Sequence, residues 1–395
     1  MNVKFSTKFV AASAAAVMAL SLAGCSGGSM DDSSSSGAKA SGDSITIGTV
    51  TTNSGTAAAY GEAEVKGFEL AVSEINAKGG INGKKVKLES MDDKGDATEA
   101  SNAYNKLAGD NNVLAVAGPT ISATTAAVAP LADQSKLVTI APAATSDSIE
   151  TGNYLFRTCF KDSYQGEVAA RFAAENLKVK KVAVLYGTGD PYSSGVGEAF
   201  AKAAEKLGLE VVDKESSSSA DDTEYSAQLQ KIQASGAELL YAPYYYSVAG
   251  PYIIPQARSV GFEGYVMGPD GYDGLKLTGD KSQYNKTYYT THYSADDNTN
   301  TKVQDFIKSY KSKNNAEPNT FAALGYDTIY MIKQAIEKAG KNATREDVRN
   351  AVAGMTFDGV TGKFTMDKSG SPTKSVIVLE MKDGKPVYNT TVQPK

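Results

Sequence analysis

Hydrophobic positions along this chain switch repeatedly between a two-residue and a 3.6-residue period. Residues 45–50 alternate and are rich in β-branched side chains, which predicts a half-buried strand. Val65, Phe68, Val72 and Ile75 then recur at helical spacing, and Gly79-Gly80 stops that helix. Residues 85–89 read as a strand and 98–107 as a helix. Residues 113–117 form a continuous apolar run that ends in Gly118-Pro119, the pattern of a buried strand. A helix over 122–131 and a strand over 137–140 follow. The pattern restarts after Asp162. It predicts helices at 165–176, 194–207, 226–235 and 250–260, and strands at 181–186, 209–214, 238–242 and 264–267.

Two successive βαβαβ blocks predict an α/β fold of two doubly wound parallel-sheet lobes. The last third reads differently. Three helical segments, at 301–312, 320–339 and 345–353, precede hairpin-like strands at 363–366, 375–381 and 385–390. Asp367–Gly370 and Asp383-Gly384 supply turn signals. Such a tail does not make a third α/β lobe. It completes the first two, so the chain crosses between them several times and the connection is a multi-crossing hinge. The expected N-terminal lobe is 44–162 with about 292–374, and the C-terminal lobe is 163–291 with about 375–395.

Ahead of the body, Lys4 and Lys8 precede an apolar run over 9–23, the length of a signal-peptide core and too short to span a bilayer. It ends in Leu22-Ala23-Gly24-Cys25, the pattern of a bacterial lipobox. The expectation is a signal peptide over 1–24, cleavage before Cys25 and lipidation of its thiol. Residues 26–43, mostly Ser, Gly and Asp, have little to bury and read as a disordered tether with an end-to-end distance of roughly 25 Å. The anchor is then acyl chain, and the body lies outside the cytoplasm.

Charge and reactive residues narrow the functions. The net charge is −5 with basic residues scattered, so nucleic acid is not an expected partner. Of two cysteines, Cys25 is taken by the lipobox, and Cys159 reads as a buried small apolar residue. The single histidine, His292, leaves little for histidine metal sites or triads. No Gly-x-Ser-x-Gly occurs. Gly187-x-Gly189 approaches a dinucleotide fingerprint, but Tyr192 holds the third glycine position and Asp190-Pro191 interrupts the turn. Residues 296–300 resemble the start of a calcium loop, yet Thr301 stands at the glycine position and Ile307 at the bidentate glutamate. No cofactor, metal or catalytic constellation is expected.

Open parallel sheets bind ligands beyond the carboxyl ends of their strands. In the first block those ends are Gly118-Pro119-Thr120-Ile121-Ser122 and Ala141-Pro142-Ala143-Ala144-Thr145-Ser146. They offer hydroxyls and a helix N-terminus, which suit an anion. Ser122 could equally be a plain helix cap. In the second block the ends are Gly187–Tyr192, Pro243-Tyr244-Tyr245-Tyr246 and Gly268-Pro269-Asp270-Gly271, with tyrosines and one carboxylate. Asp270 also fits an ordinary turn. Taken together, the two sets match a zwitterion: donors for a carboxylate, a carboxylate and aromatic faces for an ammonium.

From about Ile45 onward the chain resembles the type I periplasmic binding proteins of the leucine/isoleucine/valine-binding family. The likeness rests on Thr52-Asn53-Ser54-Gly55 through Tyr60-Gly61, Ile75-Asn76-Ala77-Lys78-Gly79-Gly80-Ile81, Met91-Asp92-Asp93, Ala141–Thr145, Gln165-Gly166, Gln256–Gly261 and Met267–Gly271 in that order. The resemblance implies that Ser122, Thr145 and the backbone of Ala143 hold a ligand α-carboxylate and part of the ammonium. Tyr192 and Tyr245 close from the second lobe, and Asp270 meets the ammonium. Tyr60 flanks the side-chain pocket, and Thr120, Ile121 and Phe321 line it. A monomer that delivers a small amino acid to ABC permease subunits is implied. A disulfide found in some members would join Gly95 and Ile121, so both halves are absent here. Asp270 is one methylene shorter than the usual glutamate, and Thr120 replaces an aliphatic residue. These two changes bear on the ligand: a branched-chain amino acid bound by hinge closure is the first expectation, with another small amino acid, an amide or an organic acid, or a sensory receptor of the same fold without transport, as the alternatives.

Overall fold

The computed structural model describes residues 44–149, 153–219, 221–296 and 300–394. The expected signal peptide, Cys25 and the tether lie outside the described residues, as do positions 297–299 of the calcium-like loop.

The first block builds β1 (Ser44–Thr51), α1 (Ala58–Ala77), β2 (Lys85–Asp92), α2 (Ala97–Gly109), β3 (Val113–Ala117), α3 (Ser122–Ser135), β4 (Val138–Ala141) and β5 (Leu155–Arg157). All five strands run parallel, in the order β2-β1-β3-β4-β5. β3 and β4 are buried at every position because helices cover both faces of the sheet, hence the unbroken apolar runs.

The second block builds α4 (Asp162–Glu175), β6 (Lys181–Gly187), α5 (Pro191–Lys206), β7 (Glu210–Ser217), α6 (Ser226–Ala234), β8 (Leu239–Tyr241), α7 (Tyr246–Val248), α8 (Ile254–Ser259), β9 (Tyr265–Gly268) and β10 (Thr287–Thr291). The tail adds α9 (Thr301–Asn314), α10 (Thr320–Ala339), α11 (Arg345–Val352), β11 (Thr356–Gly359), β12 (Gly362–Thr365), β13 (Val376–Lys382) and β14 (Lys385–Val392). The second sheet has the order β14-β13-β10-β9-β8-β6-β7. Its β7-β6-β8-β9-β10 part is parallel and repeats the order of the first sheet, while β13 and β14 join antiparallel. Each sheet therefore reverses direction once, between β1 and β3 and between β6 and β8. A ligand crevice is expected at such a switch point.

Four elements differ from the sequence pattern, one of them β11, an unexpected strand that pairs antiparallel with β12. The helix expected over 250–260 starts at Tyr246, and a π turn over Ala249–Ile253 joins α7 to α8. Strands β5 and β10 carry too little signal: β5 has three residues, and β10 reads Thr-Tyr-Tyr-Thr-Thr, polar by composition yet buried throughout.

The tail serves both sheets. α10 lies against α1, with α11 beside it over β3 and β4. Gly67 of α1 and Gly325 of α10 let the two helices touch. A Cβ on Gly67 would lie 2.2 Å from the Ala322 carbonyl oxygen, and one on Gly325 would lie 2.7 Å from the Glu64 carbonyl oxygen. Phe68, Ile75, Ile329, Ile332 and Ile336 from these helices share one core with Ile45, Ile47 and Ile140 of the first sheet. The chain thus passes between the sheets three times, at 158–161 after β5, 292–300 after β10 and 366–375 after β12.

Candidate functional site

The carboxyl ends of both sheets face one cleft. A cavity of about 20 Å³ there is lined by Tyr60, Thr120, Ile121, Ser122, Ala143, Tyr192, Tyr245, Asp270, Gly271 and Phe321. That is room for about one water, so the walls of the cleft lie close against each other in this structure.

On the first-sheet side, β3 ends at Gly118, whose φ of +125° and 2.0 Å approach of a would-be Cβ to the Val50 carbonyl oxygen exclude any side chain. The chain then turns into α3. The N-cap of α3 is Ile121, which makes no side-chain cap bond. Ser122 is therefore not the cap. Its Oγ accepts the Ser146 N–H at 3.1 Å, which ties the β3 and β4 loops together and leaves its O–H free to donate. Thr145 lies behind this loop rather than in the cavity lining. Its hydroxyl is near enough to Asp162 to favour that carboxylate's charged form, but it has no bond of good geometry. Arg157, buried, donates to the carbonyls of Thr145 (2.7 Å) and Ser146 (3.0 Å) and fixes the loop from below.

Thr120 is less polar towards the cavity than its name suggests. Its Oγ1 donates to Glu64 Oε2 at 2.6 Å and accepts the Thr52 N–H at 3.1 Å. Burial pushes the Glu64 carboxyl well above the usual range. Gly95 and Ile121, the positions where relatives could carry a disulfide, are neighbours: a Cβ on Gly95 would lie 3.9 Å from Ile121 Cδ1.

Aromatic rings form the middle of the site. Tyr60 stacks on Phe321 at 3.9 Å between centroids and meets Tyr245 edge-on at 5.8 Å. Tyr245 lies parallel to Tyr192 at 5.3 Å. The Tyr60 hydroxyl bridges the cleft: it donates to the Gly271 carbonyl oxygen (2.5 Å) and accepts the Tyr246 N–H (3.0 Å). Ser247 Oγ to the Thr56 carbonyl (2.7 Å) adds a second bridge. Burial raises the Tyr60, Tyr192 and Tyr245 hydroxyls well above their ordinary value, so all three stay protonated.

Asp270 begins the turn after β9 and is 2 % exposed. Its Oδ1 accepts Tyr192 Oη (2.9 Å) and Gln165 Nε2 (3.2 Å), and its Oδ2 faces His292 Nε2 at 3.2 Å. Tyr192, which spoiled the glycine fingerprint, thus turns into the cleft and also accepts the Gly271 N–H at 2.8 Å. Sequence reasoning missed Gly271, Arg157 and any role for Gln165 and His292. The Gln165-Gly166 and Met267–Gly271 motifs contain Gln165 and Gly271 without assigning them a role, and nothing signalled Arg157 or His292.

The arrangement can hold a zwitterion. Donors sit on one wall and a carboxylate on the other, with rings and Ile121 between. Asp270 and His292 form two parts of a triad, but His292 Nδ1 has no partner among the described residues, so no nucleophile completes it. No metal-binding cluster occurs among the described residues, and no helix among them is long and apolar enough to cross a membrane.

Comparison with known proteins gives the same direction. A family model described as periplasmic binding protein matches residues 44–386. The Leu/Ile/Val-binding protein homolog 3 of Brucella melitensis is 30% identical over 348 residues, 86% of this chain and 92% of the relative. The leucine-, isoleucine-, valine-, threonine- and alanine-binding protein of Pseudomonas aeruginosa is 30% identical over 333 residues, 83% of this chain and 87% of the relative. The branched-chain amino acid transporter substrate-binding protein LivJ of Streptococcus pneumoniae, solved with isoleucine, superposes with a TM-score of 0.82 at 32% identity, covering 89% of this chain and 100% of that one. The leucine-binding protein LivK of Thermotoga maritima gives 0.81 at 30% identity, covering 89% and 99%. This chain belongs to the periplasmic binding protein family, on the type I branch of the leucine/isoleucine/valine-binding proteins.

Proposed function

We propose that the chain is the extracytoplasmic binding component of an ABC importer, held to the membrane through lipidated Cys25, and that it captures a branched-chain amino acid by hinge closure. The observation that carries this reading is the pairing of Asp270 with donors on the opposite wall of a small aromatic cavity. Ser122 and the Ala143 backbone would take the α-carboxylate, with Thr145 behind the loop that carries them. Asp270, oriented by Tyr192, would take the ammonium. Tyr60, Thr120, Ile121 and Phe321 would surround the side chain, and Tyr245 would close over it. Because the Thr120 hydroxyl is committed to Glu64 and Thr52, the pocket wall favours an aliphatic side chain over a hydroxylated one.

The two lobes, 44–162 with about 292–374 and 163–291 with about 375–395, would move as bodies about the three crossings. Ligand binds the first lobe, and its extra contacts with Tyr192, Tyr245 and Asp270 shift the population to the closed form. The permease would read that form.

The test is calorimetric titration of the body from Ser44 onward with the twenty amino acids, after unfolding and refolding to strip carried-over ligand. One-to-one binding of leucine, isoleucine or valine is expected. Silence towards all twenty would remove the α-amino-acid site and turn the reading to amides, small organic acids or sensing.

A further inference from the structure

Asp270 is held by more than the cleft requires. A carboxylate offers about four acceptor positions. Tyr192 and Gln165 occupy two on Oδ1, and His292 occupies one on Oδ2. One is left for a ligand ammonium.

Gln165 is itself fully committed. Its Nε2 donates to Asp162 Oδ1 (2.8 Å) and Asp270 Oδ1 (3.2 Å). Its Oε1 accepts the Asp270 N–H (3.3 Å) and Thr290 Oγ1 (3.2 Å). Each bond agrees with the others, so the amide has one orientation. It fixes both the backbone and the carboxylate of Asp270.

His292 works from the other side. It is the only histidine in the chain, and its side chain is 0% exposed. Its ring stacks on Phe160 with centroids 3.6 Å apart and planes 24° apart. Since Nδ1 has no partner, the ring proton is assigned to Nε2, where the Asp270 carboxylate accepts it. Burial pushes the imidazole down to about 4, so at neutral pH it donates as an uncharged group. A neutral donor orients a carboxylate without cancelling the charge that an ammonium needs. His292 and Phe160 also lie in two of the three crossings, at 292–300 and 158–161. The bond therefore ties the ligand-facing carboxylate to the hinge.

Building on the proposed function above, we propose that His292 and Gln165 are positioning residues for ammonium recognition, fixing the Asp270 carboxylate from the sides that Tyr192 leaves open. Neither touches the ligand.

The test uses leucine and two replacements of one residue. His292→Phe keeps the stack on Phe160 and removes only the donor. His292→Gln loses the stack but can return an N–H to Asp270. Calorimetry on both, with thermal melts to verify folding, separates packing from positioning. His292→Phe is expected to bind leucine about tenfold more weakly than wild type, the worth of one hydrogen bond to a charged group. His292→Gln is expected within about threefold of wild type. A purely structural role predicts the reverse order and would overturn the proposal, as would unchanged affinity in His292→Phe. Wild-type protein that ignores leucine would overturn the ligand reading and this proposal with it, whereas failure in the variants alone overturns only the positioning role.

Discussion

Asp270→Asn removes one charge and almost nothing else. Asparagine has the same shape as aspartate. Its carbonyl oxygen can still accept from Tyr192 and Gln165, the two donors on Oδ1. Its amide would face His292 Nε2, and that ring can move its proton to Nδ1, which has no partner to lose. The folded protein keeps its local bonds, and Tm is expected to stay within a few degrees of wild type. Binding is different. An ammonium brought into a cavity where Asp270 is 2 % exposed would have no counter-charge. Removing one partner of a buried charge pair costs about 2–5 kcal/mol, which is roughly a 30- to 5,000-fold loss of affinity. Calorimetric titration with leucine, beside a thermal melt, measures both quantities. Affinity within threefold of wild type in a folded variant would refute the assignment of Asp270 to the ammonium.

Other perturbations probe closure, packing and pH. Tyr60→Phe deletes two bonds across the cleft, to Gly271 and Tyr246, and each is worth about 0.5–1.5 kcal/mol. Leucine affinity should fall roughly 5- to 150-fold, and small-angle scattering should show a more open unliganded protein; unchanged values would mean the latch does not favour closure. Gly67→Ala should lower stability by about 1–3 kcal/mol in urea, because its Cβ would press within 2.2 Å of the Ala322 carbonyl oxygen, and an unchanged midpoint would show that α1 and α10 can part freely. The neutral, buried His292 gives a signed pH effect. Its ordinary value is 6.5 and its folded value about 4, so its contribution is fully present above 6.5 and is lost as pH falls towards 4. Asp273, pushed up to about 6 by burial, contributes in the opposite sense, losing stability as pH rises from 3.8 to 6. The difference between wild type and His292→Phe isolates the histidine: wild type should lose more stability than the variant between pH 6.5 and 4 by chemical denaturation. Parallel curves would show that His292 is not the group titrating there.

Much of this was legible in the chain because the two sheets are buried on both faces. Unbroken runs such as Val113–Ala117 and the helical spacing of Val65, Phe68, Val72 and Ile75 mark elements without ambiguity. Strand β10 escaped because its threonines and tyrosines read as polar by composition yet are buried throughout, and among the described residues only Thr290 of its three threonines has a hydroxyl bond of good geometry, to Gln165. Nine of the ten cavity-lining residues had been singled out: strand ends in a doubly wound sheet converge by topology, whereas Tyr60 on α1 and Phe321 on α10 came only from the family resemblance. Thr145 was foreseen too but lies behind the lining. Gln165 and His292 act through Asp270 rather than on the cavity, and nothing in their local sequence reveals a partner more than 20 residues away.

The contact of α1 with α10 reaches beyond the folded state. These helices lie some 250 residues apart, and Glu74 accepts the Tyr326 hydroxyl across a separation of 252 positions. A ribosome therefore finishes the whole second sheet's parallel part before it makes the helix that covers the first. Until then the apolar side of α1 has the first sheet to pack against but not the helix that covers it from the other side. A fragment ending near Thr291 would carry all five strands of the first sheet yet lack α10 and α11 from its helix layer. Loop closure over such a distance is paid late, which favours slow, concerted assembly of the body over independent folding of either half.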